Sequence, residues 1–298
     1  MTNATSALRT SVTIDELVAS AQELSLAGRW PRALRLLDSA VPDDPADRAR
    51  LARAAAEVAL ESDWFTGSDI AGPRLETAAE LLPEGDWDLG FAQLRHTYGR
   101  LLVVDGALRL GPEGKDPEVL AGLRRQARDL RDGAPDEVRG GWTSMYLGLI
   151  TDNLFADLAA APAHYTAALA AGESGPDPLL AREALRHLGM HDHDGGNHER
   201  ALERWRRATA LGAGAGLVAG TLSQQLLLAV VARATGDEAG ARALATEVAR
   251  WAGAVGAGRL HTQASGFLDG TDPTAAPPVR EEPVGQHVGG EAGGQPGV

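Results

Sequence analysis

The chain of 298 residues contains no cysteine. A disulfide-stapled fold, a thiolate zinc site and a cysteine nucleophile are therefore excluded. Aromatic residues make up only 4% of the sequence, and the best apolar stretch, 226–232, is far shorter than the roughly 18 residues of a membrane-spanning helix. Residues 1–11 are polar and do not form a signal peptide. We expect a cytoplasmic location and no membrane partner.

The sequence also lacks the basic stripe that is typical of nucleic-acid-binding proteins. The formal net charge is −13 at pH 7, and the arginines at 124–125 and within 204–207 are interleaved with acidic residues. An acidic surface repels phosphate backbones and anionic lipids. The sequence holds no glycine-rich phosphate loop either. We therefore expect no nucleic-acid partner and no cofactor.

A pattern of small or apolar residues at positions i, i+4 and i+7 recurs six times along the chain. Its first members are separated by steps of 38, 52, 38, 40 and 40 residues. Periods of this length are typical of stacked helical hairpins, because one hairpin cannot bury its own apolar face. The sequence therefore predicts an all-α solenoid of about six hairpins. The six patterns are Ala33-Leu37-Ala40, Ala71-Leu75-Ala78, Leu123-Ala127-Leu130, Ala161-Tyr165-Ala168, Ala201-Trp205-Ala208 and Ala241-Ala245-Val248.

Turn residues and compact residues fall at fixed distances from this pattern. Glycine begins a turn five residues ahead of it at Gly28, Gly196 and Gly236, and Asn197 or Asp237 then suits a helix cap. The slot twelve residues ahead holds a compact or aliphatic residue, which lets two helices pack closely: Ala21, Ala59, Leu149, Gly189 and Ala229.

The composition divides the chain into three parts. We expect a disordered lead over 1–12, a helical repeat domain over 13–268 and a disordered Gly/Pro-rich tail over 269–298, which has too few large apolar residues to fold. The third hairpin is irregular, with a predicted helix over 87–106 and a long loop that explains the step of 52 residues. A short helix within 253–268 is expected to cap the stack.

These features resemble the tetratricopeptide repeat (TPR) family. That repeat has a small residue late in helix A, a Gly-Asp or Gly-Asn turn, and then alanine, a large residue and alanine in helix B. The fifth hairpin matches it with Gly189, Gly196-Asn197, Ala201, Trp205 and Ala208. The resemblance covers about residues 13–252, and the composition looks like that of actinobacterial-type members. It implies a right-handed superhelix whose concave face, lined by the A helices, binds a protein, a peptide or sometimes a small molecule. It implies no catalytic residues.

The function predicted on this basis is a non-catalytic scaffold that binds a protein or peptide in its concave groove. An alternative is a regulatory module that senses a peptide or small molecule and has no DNA-binding domain of its own. A second alternative is a metal-dependent enzyme that uses the cluster His187–His198. His187 and His191 lie four residues apart, which is a spacing found in metal sites on helices. The competing interpretation is that the cluster is only the polar end of a helix and the turn that follows it.

Counting along the A helices places five side chains on the concave side: Tyr146, Asn153, Arg186, His193 and Arg233. Arginine offers paired donors to a carboxylate such as a peptide terminus, so these residues are the predicted ligand groove. The competing interpretation is a set of solvent-exposed arginines. Aromatic residues that recur at helix positions are predicted to be core: Trp142, Tyr146, Tyr165, Trp205 and Trp251.

Overall fold

The computed structural model describes residues 12–104 and 107–274. These residues form helices α1 Ile14–Leu26, α2 Trp30–Asp38, α3 Pro45–Thr66, α4 Ala71–Leu81, α5 Trp87–Leu102, α6 Pro117–Asp132, α7 Glu137–Leu149, α8 Ala161–Ser174, α9 Pro178–Asp194, α10 His198–Gly214, α11 Val218–Ala234, α12 Glu238–Val255 and α13 Gly258–Leu268. A π-helical segment, Ile150–Leu154, continues α7, and two short strands, β1 Val103–Val104 and β2 Ala107–Leu108, follow α5. Apart from Val12 and 269–274, the predicted lead and tail lie outside the described residues.

The helices pair in sequence order as six hairpins, from α1/α2 to α11/α12, and α13 packs on the last of them. The expected all-α repeat architecture is confirmed. Every residue of the repeated three-residue pattern is buried except Ala40 and Leu130, which are half-buried. Small residues at these positions let the second helix of each hairpin approach its neighbours closely, so the pattern marks the packing face of the array.

Glycine and a capping side chain build the tight turn inside the regular hairpins. Gly196 and Gly236 have φ angles of 78° and 92°, a conformation that residues with a Cβ atom rarely adopt. The Asn197 side chain then accepts a hydrogen bond from the Arg200 N–H, and Asp237 accepts one from the Gly240 N–H. Each cap satisfies a free N–H at the start of the second helix and fixes where that helix begins.

The third hairpin departs from the sequence prediction. The helix predicted over 87–106 ends at Leu102, and the chain continues into the antiparallel pair β1 and β2. Val103 is β-branched and suits a strand better than the end of a helix. The Lys115 ammonium then donates to the carbonyl oxygens of Arg109 and Gly111, at 2.7 and 2.6 Å, and fixes the loop that follows.

The π-helical segment shifts the packing register of the fourth hairpin by one residue. The sequence spacing assigns the compact slot to Leu149, but the residue that meets the second helix is Gly148. A Cβ atom on Gly148 would lie 2.4 Å from Cε1 of Tyr165. The same contact joins Gly189 to the Trp205 ring in the fifth hairpin, at 2.4 Å from Nε1. A π-helix holds one extra residue per turn, which accounts for the shift.

Replacing Gly148 with alanine is therefore expected to lower the free energy of unfolding by about 1–3 kcal/mol, because the new methyl group overlaps the buried Tyr165 ring. Gly99 provides the matched control, since it lies within α5 and a Cβ atom there would meet nothing within 4 Å. Gly99→Ala should raise stability by about 0.5–1 kcal/mol through helix propensity. Urea denaturation of both variants measures whether the free energy of unfolding falls for Gly148→Ala and rises for Gly99→Ala. Equal changes in the two variants would contradict the tight contact at Gly148.

The two ends of the array contact one another. The Arg259 guanidinium at the start of α13 donates to the Trp64 carbonyl oxygen near the end of α3, at 3.0 Å. A Cβ atom on Gly28, in the α1–α2 turn, would lie 3.7 Å from Cβ of Val255 at the end of α12. One hydrophobic core contains buried residues from α1, α2 and α3 together with residues from α11, α12 and α13. The hairpins of the solenoid therefore close into a ring.

Trp251 is an exception to the predicted aromatic core. Its side chain is 48% exposed on α12, with the Arg250 guanidinium 5.4 Å from the ring centre. Trp205 and Tyr165 are fully buried as predicted. Within the described residues, no helix combines the length and the apolar character that crossing a membrane requires.

Candidate functional site

The inner face of the ring carries charged side chains near the middle of the A helices, where most neighbouring positions are apolar. Arg95 on α5 lies between two carboxylates of α3 and bonds to both Glu57 and Glu61, with 2.6 Å between its Nη2 and the Glu61 Oε1. The Arg95 side chain is 17% exposed, whereas that of Glu61 is 40% exposed. The two glutamates therefore remain accessible on the inner face beside a largely covered arginine.

Polar side chains on four successive A helices, three of them charged, influence one another's pKa. Burial raises the pKa of Glu61, Arg95 opposes that shift, and the carboxylates of Glu57 and Glu183 add to it. Glu183 lies on α9, three A helices away from α3 along the ring. The pKa of Tyr146 on α7 is likewise raised by burial and by Glu61 and Glu183, against the effect of Arg95. Direct contacts join the same helices in order: Arg95 of α5 bonds to Glu61 of α3, Tyr98 of α5 packs on Tyr146 of α7, and α7 contacts α9.

Glu183 has its own cationic partners on α9. Burial alone would raise its pKa, but Arg182 and His187 outweigh burial and hold the pKa far below its usual range. Arg182 forms an ion pair with Glu183 and donates to the Gly220 carbonyl oxygen at 2.9 Å. The His187 Nε2 lies 3.4 Å from the Glu183 carboxylate. The Glu183 charge is therefore balanced within α9.

Arg186 differs from Arg95 and Arg182 because no carboxylate within residues 12–104 and 107–274 lies within ion-pair distance of it. Its Nη1 donates to the Ser223 hydroxyl of α11 at 3.2 Å, which leaves most of its donors without a partner. Burial lowers its pKa to about 10, Glu183 opposes this, and Arg182 adds to it. The side chain is half-buried and still charged at neutral pH, so it is suited to binding an anion.

The π-helical segment brings Asp152 against the hairpin that follows. The Asp152 carboxylate accepts a hydrogen bond from the Tyr165 hydroxyl and contacts the His191 Nε2, each at 2.9 Å. Tyr165 also lies between two histidines, with ring centres 5.1 Å from His187 and 5.8 Å from His191. Segments of π-helix are often found where a side chain must be re-aimed, and here the segment ties α7 to α9.

This contact predicts a pH dependence of stability. The hydrogen bond to Asp152 raises the pKa of His191 above its usual 6.5. Burial would raise the pKa of Asp152, but His191 and Tyr165 outweigh burial and lower it below its usual 3.8. The contribution of protonated His191 to the free energy of unfolding is complete below pH 6.5, and it is lost as the pH rises through the raised pKa of His191. The Asp152 contribution is present above pH 3.8 and is lost as the pH falls through the lowered value.

Replacing His191 with asparagine should therefore cost most stability near pH 5–6, by about 1.5 kcal/mol, and less at pH 8. The measurement is the difference in free energy of unfolding between wild type and variant across that range. His261→Asn is the control, because the His261 Nδ1 lies 2.9 Å from a neutral acceptor, the Ala249 carbonyl oxygen, instead of a carboxylate. A difference for His191→Asn that does not change with pH would contradict the ion pair.

The structure separates the five predicted groove residues. Tyr146 packs edge-on against Phe91 and Tyr98 on the inner face, and the Asn153 amide donates to the Tyr98 hydroxyl at 2.7 Å. The structure therefore brings Tyr146 and Asn153 together through Tyr98. Arg186 lies on the same inner face, near Glu183.

Arg233 and His193 are engaged elsewhere. Both Nε and Nη2 of Arg233 bond to the Glu238 carboxylate, Nη1 donates to the Phe267 carbonyl oxygen, and the guanidinium lies 3.6 Å from the Phe267 ring centre. Arg233 thus holds α13 in place. The His193 ring contacts His198, with 3.1 Å between their Nδ1 atoms, and packs beside Trp205.

The histidine cluster is divided between two places. His187 and His191 contact Tyr165 and the carboxylates described above, whereas His193 and His198 contact each other. In residues 12–104 and 107–274, no three side chains among histidine, aspartate and glutamate are grouped in the way that a metal ion requires. The spacing of His187 and His191 is therefore used to hold two hairpins together.

Three acidic side chains of the inner face, Glu57, Glu61 and Glu183, are not among the residues predicted from the sequence. The same is true of Arg95, which pairs with Glu57 and Glu61. The sequence signal for them is weak, because α3 and α9 carry other charged residues such as Arg53 and Arg182. Counting positions within one hairpin does not show which side chains of different hairpins come together, because that depends on how the hairpins pack.

No family model matches the chain, and no curated protein matches it either. Among solved structures, a Rap protein complexed with competence and sporulation factor is similar, with a TM-score of 0.55 and 9% identity over 86% of this chain and 69% of that one. A STAND signal-transduction ATPase with a tetratricopeptide repeat sensor from Pyrococcus horikoshii has a TM-score of 0.44 and 17% identity, over 87% of this chain and 39% of its own. BtubC (BKLC) from P. vanneervenii has a TM-score of 0.43 and 16% identity, over 92% of this chain and 98% of its own.

The first of these similarities concerns the fold. It agrees with the hairpin array derived above and identifies the architecture as TPR-like. An identity of 9% carries no residue of the inner face from one protein to the other.

Proposed function

We propose that this protein is a non-catalytic scaffold that binds a protein segment or peptide on the inner face of its ring. The observation that carries the proposal is Arg186, a charged, half-buried side chain on that face, whose only hydrogen bond among the described residues goes to a neutral hydroxyl. A carboxylate of a bound chain would supply the missing acceptors, and paired Arg–carboxylate bonds are strong and directional. The Rap protein of similar fold was solved with a bound factor, which is consistent with such a use of the architecture.

Ring closure favours a short segment over a folded partner. Because α13 contacts α3, a ligand reaches the interior only through the openings of the ring or after its ends separate. The proposal includes a cytoplasmic location and no nucleic-acid or membrane partner, in keeping with the net charge of −13. A sensing role is compatible with the same site, since a ligand that binds the closed ring more tightly than the open one would shift its conformation.

Affinity selection from a pool of random-sequence peptides of four to eight residues, read by mass spectrometry, tests the proposal. Peptides retained by the protein should bind Arg186→Ala about 10- to 100-fold more weakly, the effect of losing a charge-assisted hydrogen bond of roughly 1.5–3 kcal/mol. The melting temperature of the variant should hardly change. The matched control is Arg207→Ala on α10, which removes an exposed arginine paired with Glu173. Retention of no peptide, or equal loss in both variants, would contradict the proposed site.

A further inference from the structure

The joint between the fifth and sixth hairpins, where α11 packs on α9 and α10, has a small apolar core. On α9, Leu180, Ala184 and Leu188 belong to a cluster shared with α7 and α8, and most buried apolar residues of α11 belong to the core that contains α12 and α13. In the described part of the chain, the cluster that crosses the joint consists of Ala201, Trp205, Leu227 and Val231. Little apolar burial therefore holds these two hairpins together.

Buried polar atoms without a partner lie at the same joint. Gln224 on α11 is 0% exposed, and neither its Nε2 nor its Oε1 has a hydrogen-bond partner among the described residues. Gln224 comes four residues after Gly220 and three before Leu227, so all three share one face of the helix, and Leu227 fixes that face against α10. A buried carboxamide without a partner costs free energy, so Gln224 weakens the joint in its closed form.

Measured distances place further polar groups at this contact. The Arg182 Nη2 of α9 donates to the Gly220 carbonyl oxygen of α11 at 2.9 Å. A Cβ atom on Gly212 of α10 would lie 2.8 Å from the Thr221 Oγ1 and 3.8 Å from the Arg182 Nε. Both of these atoms are buried and lack a hydrogen-bond partner within residues 12–104 and 107–274. One turn further along α9, Arg186 crosses the same joint to the Ser223 hydroxyl.

The contact between the two ends of the array is built differently. Its core contains residues of α1, α2 and α3 together with residues of α11, α12 and α13, and it includes the large buried side chains Trp30, Leu260 and Phe267. The bond from Arg259 to the Trp64 carbonyl oxygen adds a polar contact there. Because stabilisation grows with the apolar area that is buried, the ends are held together more strongly than the fifth and sixth hairpins are.

We propose that the ring opens at the joint between the fifth and sixth hairpins, with the α10–α11 turn as the hinge, while its two ends stay in contact. The turn is suited to this role because Gly216 has a φ angle of 75° and a Cβ atom on Gly214 would meet nothing within 4 Å. A carboxylate bound to Arg186 and Ser223 together would span the joint and hold it closed. This coupling to a ligand rests on the proposed function, whereas the opening itself does not.

The first experiment uses the absence of cysteine, which makes any introduced thiol the sole one in the chain. Val231→Cys places a thiol at the joint, and Val230→Cys is the matched control on the other face of α11, in the core shared with α12. The two valines are 2% and 4% exposed. Opening of the joint exposes only the first thiol, so N-ethylmaleimide should label Val231→Cys about 10-fold faster than Val230→Cys under native conditions.

Equal labelling rates, or faster labelling of Val230→Cys, would overturn the inference, because local unfolding of α11 exposes both thiols alike. Thermal melts report whether the two variants are folded. Leu227→Cys and Leu226→Cys provide a second pair with the same expectation if they are not, since these neighbours lie in the same two clusters.

A second substitution then tests the cause of the opening. Gln224→Met in the Val231→Cys protein removes the unpaired carboxamide at nearly constant volume, and it should slow labelling by about 10-fold because the closed joint no longer holds unpaired polar atoms. Gln225→Met is the control, since Gln225 is half-buried on the same helix, and it should leave the rate unchanged. A rate that Gln224→Met does not lower would overturn the inference.

The coupling to a ligand is measured with a peptide retained in the selection described above. At saturation this peptide should slow the labelling of Val231→Cys by about 10-fold and leave that of Val230→Cys unchanged, because it stabilises only the closed joint. An unchanged rate for Val231→Cys would overturn the coupling. Retention of no peptide would overturn the proposed function, and the labelling rates without peptide would still decide whether the joint opens.

Discussion

Replacing Trp205 with alanine is expected to lower the free energy of unfolding by about 3–5 kcal/mol. The Trp205 side chain is fully buried between Ala201 and Ala208, and its ring lies against Gly189, which has no side chain to move into the space. Its Nε1 also donates to the Arg186 carbonyl oxygen at 2.8 Å. The variant therefore loses apolar burial, creates a cavity between two helices and loses the hydrogen bond from the indole to α9. Urea denaturation measures the change.

Trp251→Ala is the matched control for this prediction. It also removes a tryptophan side chain from the second helix of a hairpin, but this side chain is 48% exposed. Its effect on the free energy of unfolding should stay within about 0.5 kcal/mol. Similar losses in the two variants would show that the Trp205 pocket does not differ energetically from the surface.

Replacing Phe267 with alanine is expected to cost a similar amount, about 3–5 kcal/mol, and also to loosen the ring. Phe267 on α13 is 1% exposed, belongs to the core that joins the two ends of the array, and packs beneath the Arg233 guanidinium. Loss of the phenyl group weakens the attachment of α13 to α11. Because α13 also contacts α3, the same loss weakens the contact that closes the ring of hairpins. We expect a lower urea midpoint together with a larger radius of gyration in small-angle X-ray scattering.

Gln263→Ala provides the control on the same helix, because Gln263 is exposed and lies away from the shared core. It should change neither the urea midpoint nor the radius of gyration. If Phe267→Ala lowers stability and the scattering profile stays that of the wild type, α13 contributes to stability without holding the ring closed.

The hairpin architecture was predictable because its signal is local and repeated. Residues such as Ala161, Tyr165 and Ala168 lie on one helix face, and the same face recurs at each step along the chain. The turn glycines and their caps repeat with the same spacing, so local preference and packing agree. The irregular third hairpin was predictable as a longer connection, but the end of its first helix at Leu102 was not.

Two features of the fold cannot be predicted from residue spacing along the sequence. The bond from Arg259 to Trp64 joins positions 195 residues apart, and it depends on the accumulated curvature of all the hairpins. The π-helical segment adds one residue within a helix, so the compact position falls at Gly148 instead of Leu149. The exposure of Trp251 has a related cause, because the hydrophobicity of one residue does not say which helix covers it.

The candidate site was predictable only in part. Helical counting selected Arg186, and in the structure its Nη1 donates to the Ser223 hydroxyl. The same counting selected Arg233, whose donors are occupied by Glu238 and by the Phe267 carbonyl oxygen. Arginines at equivalent positions differ in function because their partners come from other helices, and those partners are set by tertiary packing.

The contact between the two ends also limits how such a chain can change in evolution. In an open array each hairpin touches only its neighbours, so duplication or loss of one hairpin leaves the rest intact. Here each hairpin contributes a share of the rotation that brings α13 back to α3. One hairpin more or fewer would carry α13 past α3 or short of it and would expose the apolar residues of the shared core at both ends. Closure of the ring therefore constrains the number of hairpins, whereas a change of one exposed side chain or in a loop such as the one held by Lys115 leaves the contact between α13 and α3 intact.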